Sequence, residues 1–196
     1  MVPLSERTSR FSRPEKPETG MTTNPSCAQA ASGGYVLIYK AVSSGGNPPI
    51  YGPVKHGVAF SNSPTGPFVK HPEPVFQCPG VSFAAEDPFV WSQNGNLFCL
   101  LKDMGRNFSS QERALILFSS IDGIDWKLES PPVVTTRRIA QTDGSCMEYD
   151  RLERPQLLLE NGVPTVLYLA VKPERDSNES YSIHLAVEFD GSQNEL

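Results

Sequence analysis

The chain has 196 residues, 38% hydrophobic and 20% charged, with a formal net charge of −5. This balance fits a folded globular protein, and the acidic surplus argues against nucleic acid, whose phosphates need a basic face. No apolar run reaches the ~18 residues of a membrane helix, and 18 prolines with 15 glycines favour turns over long helices.

Residues 1–20 are polar and proline-containing and read as a disordered or irregular tail. They lack the apolar stretch of an export signal, so localisation stays open, a secreted or periplasmic parent included. From residue 21 one pattern occurs three times. Asn24-Pro25 leads through Gly33-Gly34 to the apolar run Tyr35–Lys40. Asp87-Pro88-Phe89-Val90-Trp91 leads through Asn94-Gly95 to Leu97–Lys102. Glu153-Arg154-Pro155 leads through Asn161-Gly162 to Val166–Ala170. Each unit predicts a hairpin, with proline at a first strand position and a Gly-containing turn.

A second strand pair follows in each unit. Gly57–Ser61 precedes the turn at Ser63-Pro64-Thr65-Gly66, Leu115–Ser119 precedes Asp122-Gly123, and Ile183–Val187 precedes Asp190-Gly191. Two hairpins per unit predict four-stranded antiparallel blades over residues 21–80, 81–145 and 146–196. The fold expected is all-β, a partial β-propeller over residues 21–196. Three blades do not close a ring, so partner chains or a longer polypeptide are expected to complete it. The tract 43–49 reads as a loop. The four cysteines have neither CxxC nor metal-ligand spacing and read as free thiols, with Cys99 a small core residue.

In a propeller the residue opening each inner strand sits at the channel mouth. Asn24, Asp87 and Glu153 are assigned equivalent places there, and strand alternation lets only one of Glu86 and Asp87 face the channel. Two converging carboxylates suit glycosidic bond cleavage, one as proton donor and one to activate water or attack the sugar. Ordinary turn chemistry is the alternative for each acid taken singly. Trp91 and Phe89 suit either sugar stacking or inter-blade core. Lys102 and Arg106 suit either contact with a sugar acid or sulfate, or a solvated loop. His184 reads as structural, and His56 lies before a strand near the channel.

The runs Glu86-Asp87-Pro88-Phe89-Val90-Trp91 and Leu152-Glu153-Arg154-Pro155-Gln156-Leu157, with the turn Ser120–Trp126, resemble the five-bladed propeller glycosidases of glycoside hydrolase family 43 and their relatives in family 117. The resemblance implies glycosidase chemistry on a carbohydrate partner. Glu153 matches the general acid and Asp87 the aspartate that tunes and orients it. Asn24, Trp91, Lys102 and Arg154 become candidate sugar contacts. It also implies a calcium ion in the central channel, although no calcium-loop motif is present. The family's general base lies on a blade that no segment here matches, so this chain alone is expected to be inactive. The order Asn24-Pro25 then Glu86-Asp87-Pro88 also resembles the β-mannoside phosphorylases. There Asp87 would be the proton donor and phosphate would replace water, with Lys40, Lys102, Arg106 and Arg154 as candidate anion ligands. Phe89 departs from the arginine usual in that motif. A non-catalytic carbohydrate-binding propeller is the third reading.

Overall fold

The computed structural model describes residues 19–44 and 52–188. Within them the chain is all strand and turn. Strands β1 (Thr19–Gln29), β2 (Tyr35–Ser43), β3 (Val54–Ser61) and β4 (Val69–Lys70) form one antiparallel sheet in chain order. Strands β5 (Ala85–Gln93), β6 (Asn96–Asp103), β7 (Leu115–Ser120) and β8 (Lys127–Thr135) form a second. A hairpin of β9 (Arg138–Ala140) and β10 (Cys146–Glu148) leads to a third sheet of β11 (Arg151–Glu160), β12 (Val163–Lys172) and β13 (Tyr181–Ala186). The third sheet thus has three strands among the described residues, where four were expected. The second-hairpin turn expected at Asp190-Gly191 lies outside them, as do residues 1–18 and most of the 43–49 loop. β1 begins inside the stretch assigned to the tail.

The turns are where glycine and asparagine place them. Gly33, Asn94, Gly95, Asn161 and Gly162 all have positive φ, the conformation that reverses a tight hairpin. Between them the β2 and β6 strands are almost wholly buried, as expected of strands covered on both faces.

Two apolar cores stack the sheets. Val36, Ile38 and Val58 of the first sheet meet Val90, Leu97, Cys99 and Phe118 of the second. On the second sheet's other face, Trp91, Leu100 and Leu115 meet Leu152, Leu167 and Leu169 of the third. The Ser120–Trp126 turn is part of this construction. Asp122 Oδ1 accepts the amides of Ile124 and Asp125 at 2.8 and 2.9 Å, and Trp126 packs on Phe76. Gly123, at φ 78°, sits where a Cβ would lie 3.0 Å from Val36, so the turn seals the seam between the first two sheets. All four cysteines are free.

Candidate functional site

The three inner strands, β1, β5 and β11, start at a common centre, and each carries the same irregularity. The pairing register slips between Thr23 and Ser26, between Glu86 and Phe89, and between Glu153 and Gln156. At each slip the residue before the proline takes the left-handed conformation: Asn24 at φ 50°, Asp87 at 55° and Arg154 at 55°. Such a conformation is unfavourable for a side-chain-bearing residue and is retained where the surroundings over-determine it.

This corrects the expected alignment. Arg154, not Glu153, stands where Asn24 and Asp87 stand, and Glu153 is the counterpart of Glu86 and Thr23. The pairing partners agree, since Thr23 faces Lys40, Glu86 faces Lys102 and Glu153 faces Ala170. The bulge also breaks simple alternation, so Glu86 and Asp87 both reach one cation: Lys102 Nζ lies 3.0 Å from Glu86 Oε2 and 3.9 Å from Asp87 Oδ2.

Asn24, Asp87 and Arg154 line a polar pocket of about 320 Å³ on the common centre. Asp87 is its hub. Its Oδ1 accepts a hydrogen bond from Asn24 Nδ2, and its Oδ2 accepts the Arg154 amide at 3.0 Å. One buried carboxylate therefore ties the first sheet to the third. The bond to Arg154 N–H fixes the backbone directly beside Glu153.

A second cleft of about 230 Å³ adjoins it between the second and third sheets, and Glu86, Lys102, Arg113, Arg151 and Glu153 are among its lining residues. Lys40 on β2 donates to Glu86 Oε1 at 2.6 Å, and Lys102, at the matching place on β6, donates to Glu153 Oε1 at 3.2 Å. The second strands of the first two sheets thus each send a lysine to the glutamate on the next sheet's inner strand. Burial alone would raise the Glu86 carboxyl, but Lys102 and Lys40 together outweigh it and hold the group below its ordinary value. The corresponding place on β12 is Ala170, which supplies no such cation. Asp87 and Glu153 both lie against Lys102, at 3.9 and 3.2 Å. Their nearest oxygens are therefore no further apart than those two distances laid end to end.

Two proposed sugar contacts are corrected. Trp91 is buried, stacks on Phe98 at 5.4 Å and belongs to the inter-sheet core. Lys102 is buried beneath its carboxylates rather than offered to a ligand. Asn24 points at Asp87, while the Arg154 side chain remains exposed at the central pocket. Arg106 is exposed on its loop. His184 lies exposed on the third sheet beside Tyr168, not in a core. His56 falls within β3 and is buried against Lys40 and Glu86 with its Nε2 lacking a hydrogen-bond partner. The lysine bridges were not marked in the sequence, because they depend on contacts between segments 46 and 51 residues apart, and the loop aspartate Asp103, whose partners are local, was not marked either.

Among the described residues no group of three or more His, Cys, Asp or Glu side chains is arranged to hold a metal ion. At the centre, Asp87 already spends both oxygens on Asn24 and Arg154. These residues do not fit the oxygen-rich shell that calcium requires.

No protein-family model matches the sequence, and no curated protein matches it. Solved structures do. Fructan 1-exohydrolase IIa from Cichorium intybus superimposes with a TM-score of 0.55 at 13% identity, over 89% of this chain and 32% of its own. The β-fructofuranosidase of Bombyx mori, of glycoside hydrolase family 32, gives 0.52 at 20% identity, over 81% of this chain and 32% of its own. The chain has the fold of the propeller glycoside hydrolases. It spans about a third of the length of these two structures.

Proposed function

We propose that this chain carries part of the active site of a carbohydrate-active propeller that cleaves glycosidic bonds of oligo- or polysaccharides by carboxylate acid–base chemistry. Glu153 is the proton donor and Asp87 the residue that orients it. The observation that carries this reading is the double bonding of Asp87, to Asn24 and to the amide of Arg154, while it shares Lys102 with Glu153. A carboxylate saturated in this way holds geometry, and its neighbour, held by Lys102 through Oε1 but one-third exposed on the adjoining cleft, can meet a substrate oxygen. The sugar-processing enzymes that share the fold support the substrate class.

Water activation requires a further carboxylate, which on this reading stands on a part of the propeller outside these three sheets. The test is release of reducing sugar from a panel of oligosaccharides by the polypeptide that carries the whole propeller. Glu153→Gln is expected to lower the rate by ~10²–10⁴-fold, the range for loss of a general acid. Turnover unchanged in that variant would refute the assignment. Dependence of cleavage on added phosphate would favour the phosphorylase reading, in which Asp87 is the donor. The engagement of both Asp87 oxygens speaks against it. Glycan binding with no cleavage by the whole propeller would favour the non-catalytic reading.

A further inference from the structure

Beyond β6 the chain does not wander across the surface. Asp103, wholly buried, gathers the following loop around its carboxylate. Oδ1 accepts the amides of Gly105 at 3.2 Å and Asn107 at 2.9 Å, and Oδ2 those of Phe108 at 2.9 Å and Ser109 at 3.0 Å. The Met104 amide and Asn107 Nδ2 both bond the Ala84 carbonyl, pinning the loop to the start of β5, and the Asp103 amide bonds Ala114 O at the loop's far end. A loop so internally bonded holds whatever it carries in one place.

What it carries to the Glu153 cleft is Arg113. That residue is held at φ 58°, a conformation a loop of free choice would give to glycine. Its Nε is buried and has no hydrogen-bond partner, the nearest carboxylate oxygen, Glu112 Oε1, lying 3.7 Å away. The Arg113 side chain as a whole is 39% exposed, and the residue lines the cleft beside Glu153. Arg151 lines the same cleft, 4.0 Å from Glu153 Oε1 and 3.5 Å from Asp150 Oδ2. Lys102 is held by Glu86 and Glu153 at 3.0 and 3.2 Å, whereas the carboxylates beside Arg113 and Arg151 stand off at 3.5 to 4.0 Å, which makes the two arginines the more loosely held cations for an incoming group.

We propose that this cleft binds an oxyanion through Arg113 and Arg151, and that the sugar handled beside Glu153 is acidic, bearing a carboxylate or a sulfate. The planar guanidinium fork matches such groups in geometry as well as charge. The inference rests on the reading of the Glu153 cleft as the sugar site. The same chemistry would also take free inorganic phosphate, so the two sources are separated by experiment.

The test is calorimetric titration of the full chain with glucuronate, galacturonate, galactose 6-sulfate and inorganic phosphate, against neutral glucose and galactose. At least one sugar-borne anion is expected to bind, more weakly as salt rises. Arg113→Gln and Arg151→Gln should each weaken it about tenfold or more, the loss of a charge-assisted hydrogen bond. Arg113→Lys should recover part of the loss, and unchanged thermal melting of the variants would show that the fold is intact. Arginine-dependent binding of phosphate alone would overturn the acidic-sugar assignment and show a phosphate subsite instead. No anion binding up to about 10 mM, weaker than any useful affinity, or binding that ignores both substitutions, would overturn the oxyanion site altogether. Neutral sugars bound as tightly as acidic ones would overturn this inference while leaving Glu153 as the proton donor. That role fails separately, if Glu153→Gln cleaves normally.

Discussion

Two buried residues around the site make opposite uses of burial. Asp103 is a carboxylate satisfied by amides from its own loop, with hydroxyl and amide side chains of Ser109 and Asn107 adding to them at 3.3 Å. Asp103→Ala leaves four loop amides without their acceptor, at about 1–3 kcal/mol for each that water does not reach. The expected outcome is a loss of several kcal/mol in urea unfolding and faster proteolysis of the 104–113 loop. His56 is the reverse case, a neutral ring in a place hostile to its charged form. Burial, then the neighbouring Lys40 charge, pushes its pKa down to about 4, against a smaller upward pull from Glu86. Between pH 6.5 and 4 the unfolded chain therefore binds the proton that the folded chain refuses, so stability rises with pH through that window and falls on acidification. The contribution is about 3 kcal/mol. Glu86, held low by its lysines, adds a loss in the same direction once the pH drops below its ordinary value. His56→Gln is expected to flatten the slope of unfolding free energy between pH 6.5 and 4 while leaving the Glu86 loss in place. An unchanged slope would show that His56 is not its source.

At the scale of the strand, the feature that matters is the bulge repeated in β1, β5 and β11. Much of each hairpin was legible in the sequence, because a glycine turn followed by an apolar run has few other solutions. The bulge was not. Nothing in Glu-Asp-Pro or Glu-Arg-Pro announces that the residue before proline will turn left-handed, and the units were matched on their acids although Glu153 stands one residue further from its proline than Asp87 does. That matching put Glu153 beside Asp87 in rank and left Arg154 as an accessory. The backbone makes Arg154 the equivalent and Glu153 the residue of the lysine-facing row. The strain gives a test. Arg154→Gly keeps the amide that bonds Asp87 and removes a side chain from a left-handed residue, so stability is expected to hold or rise by about 1 kcal/mol. Asp87→Gly relieves the same strain but discards the bonds to Asn24 and Arg154, and is expected to destabilise. Equal effects of the two substitutions in thermal melts would deny Asp87 its place as the hub.

Across the whole molecule the sheets repeat a face as well as a sequence. Register aligns Val36, Ile38 and Lys40 of β2 with Phe98, Leu100 and Lys102 of β6 and with Val166, Tyr168 and Ala170 of β12. The first two rows are packed against the following sheet. On the third, Tyr168 is 44% exposed and Leu158, in the same cross-strand ladder as Val166 and Ala186, is 43% exposed. The residue types are those of an inter-sheet core, although no described sheet covers them, and this mismatch was not readable from strand patterns alone because β12 looks like any buried strand. An apolar sheet face of this kind drives association when left in water. The chain alone is therefore expected to self-associate with rising concentration, and Leu158→Lys with Tyr168→Lys to suppress that without lowering the melting temperature. Sedimentation velocity over a concentration series checks it. If the double variant associates as the original does, the contact lies elsewhere and the third sheet's face is satisfied in a way its residues do not suggest. If the variant stays monomeric but melts earlier, those side chains support the third sheet itself, and their exposure is the residue of an incomplete core rather than a surface that another sheet would cover.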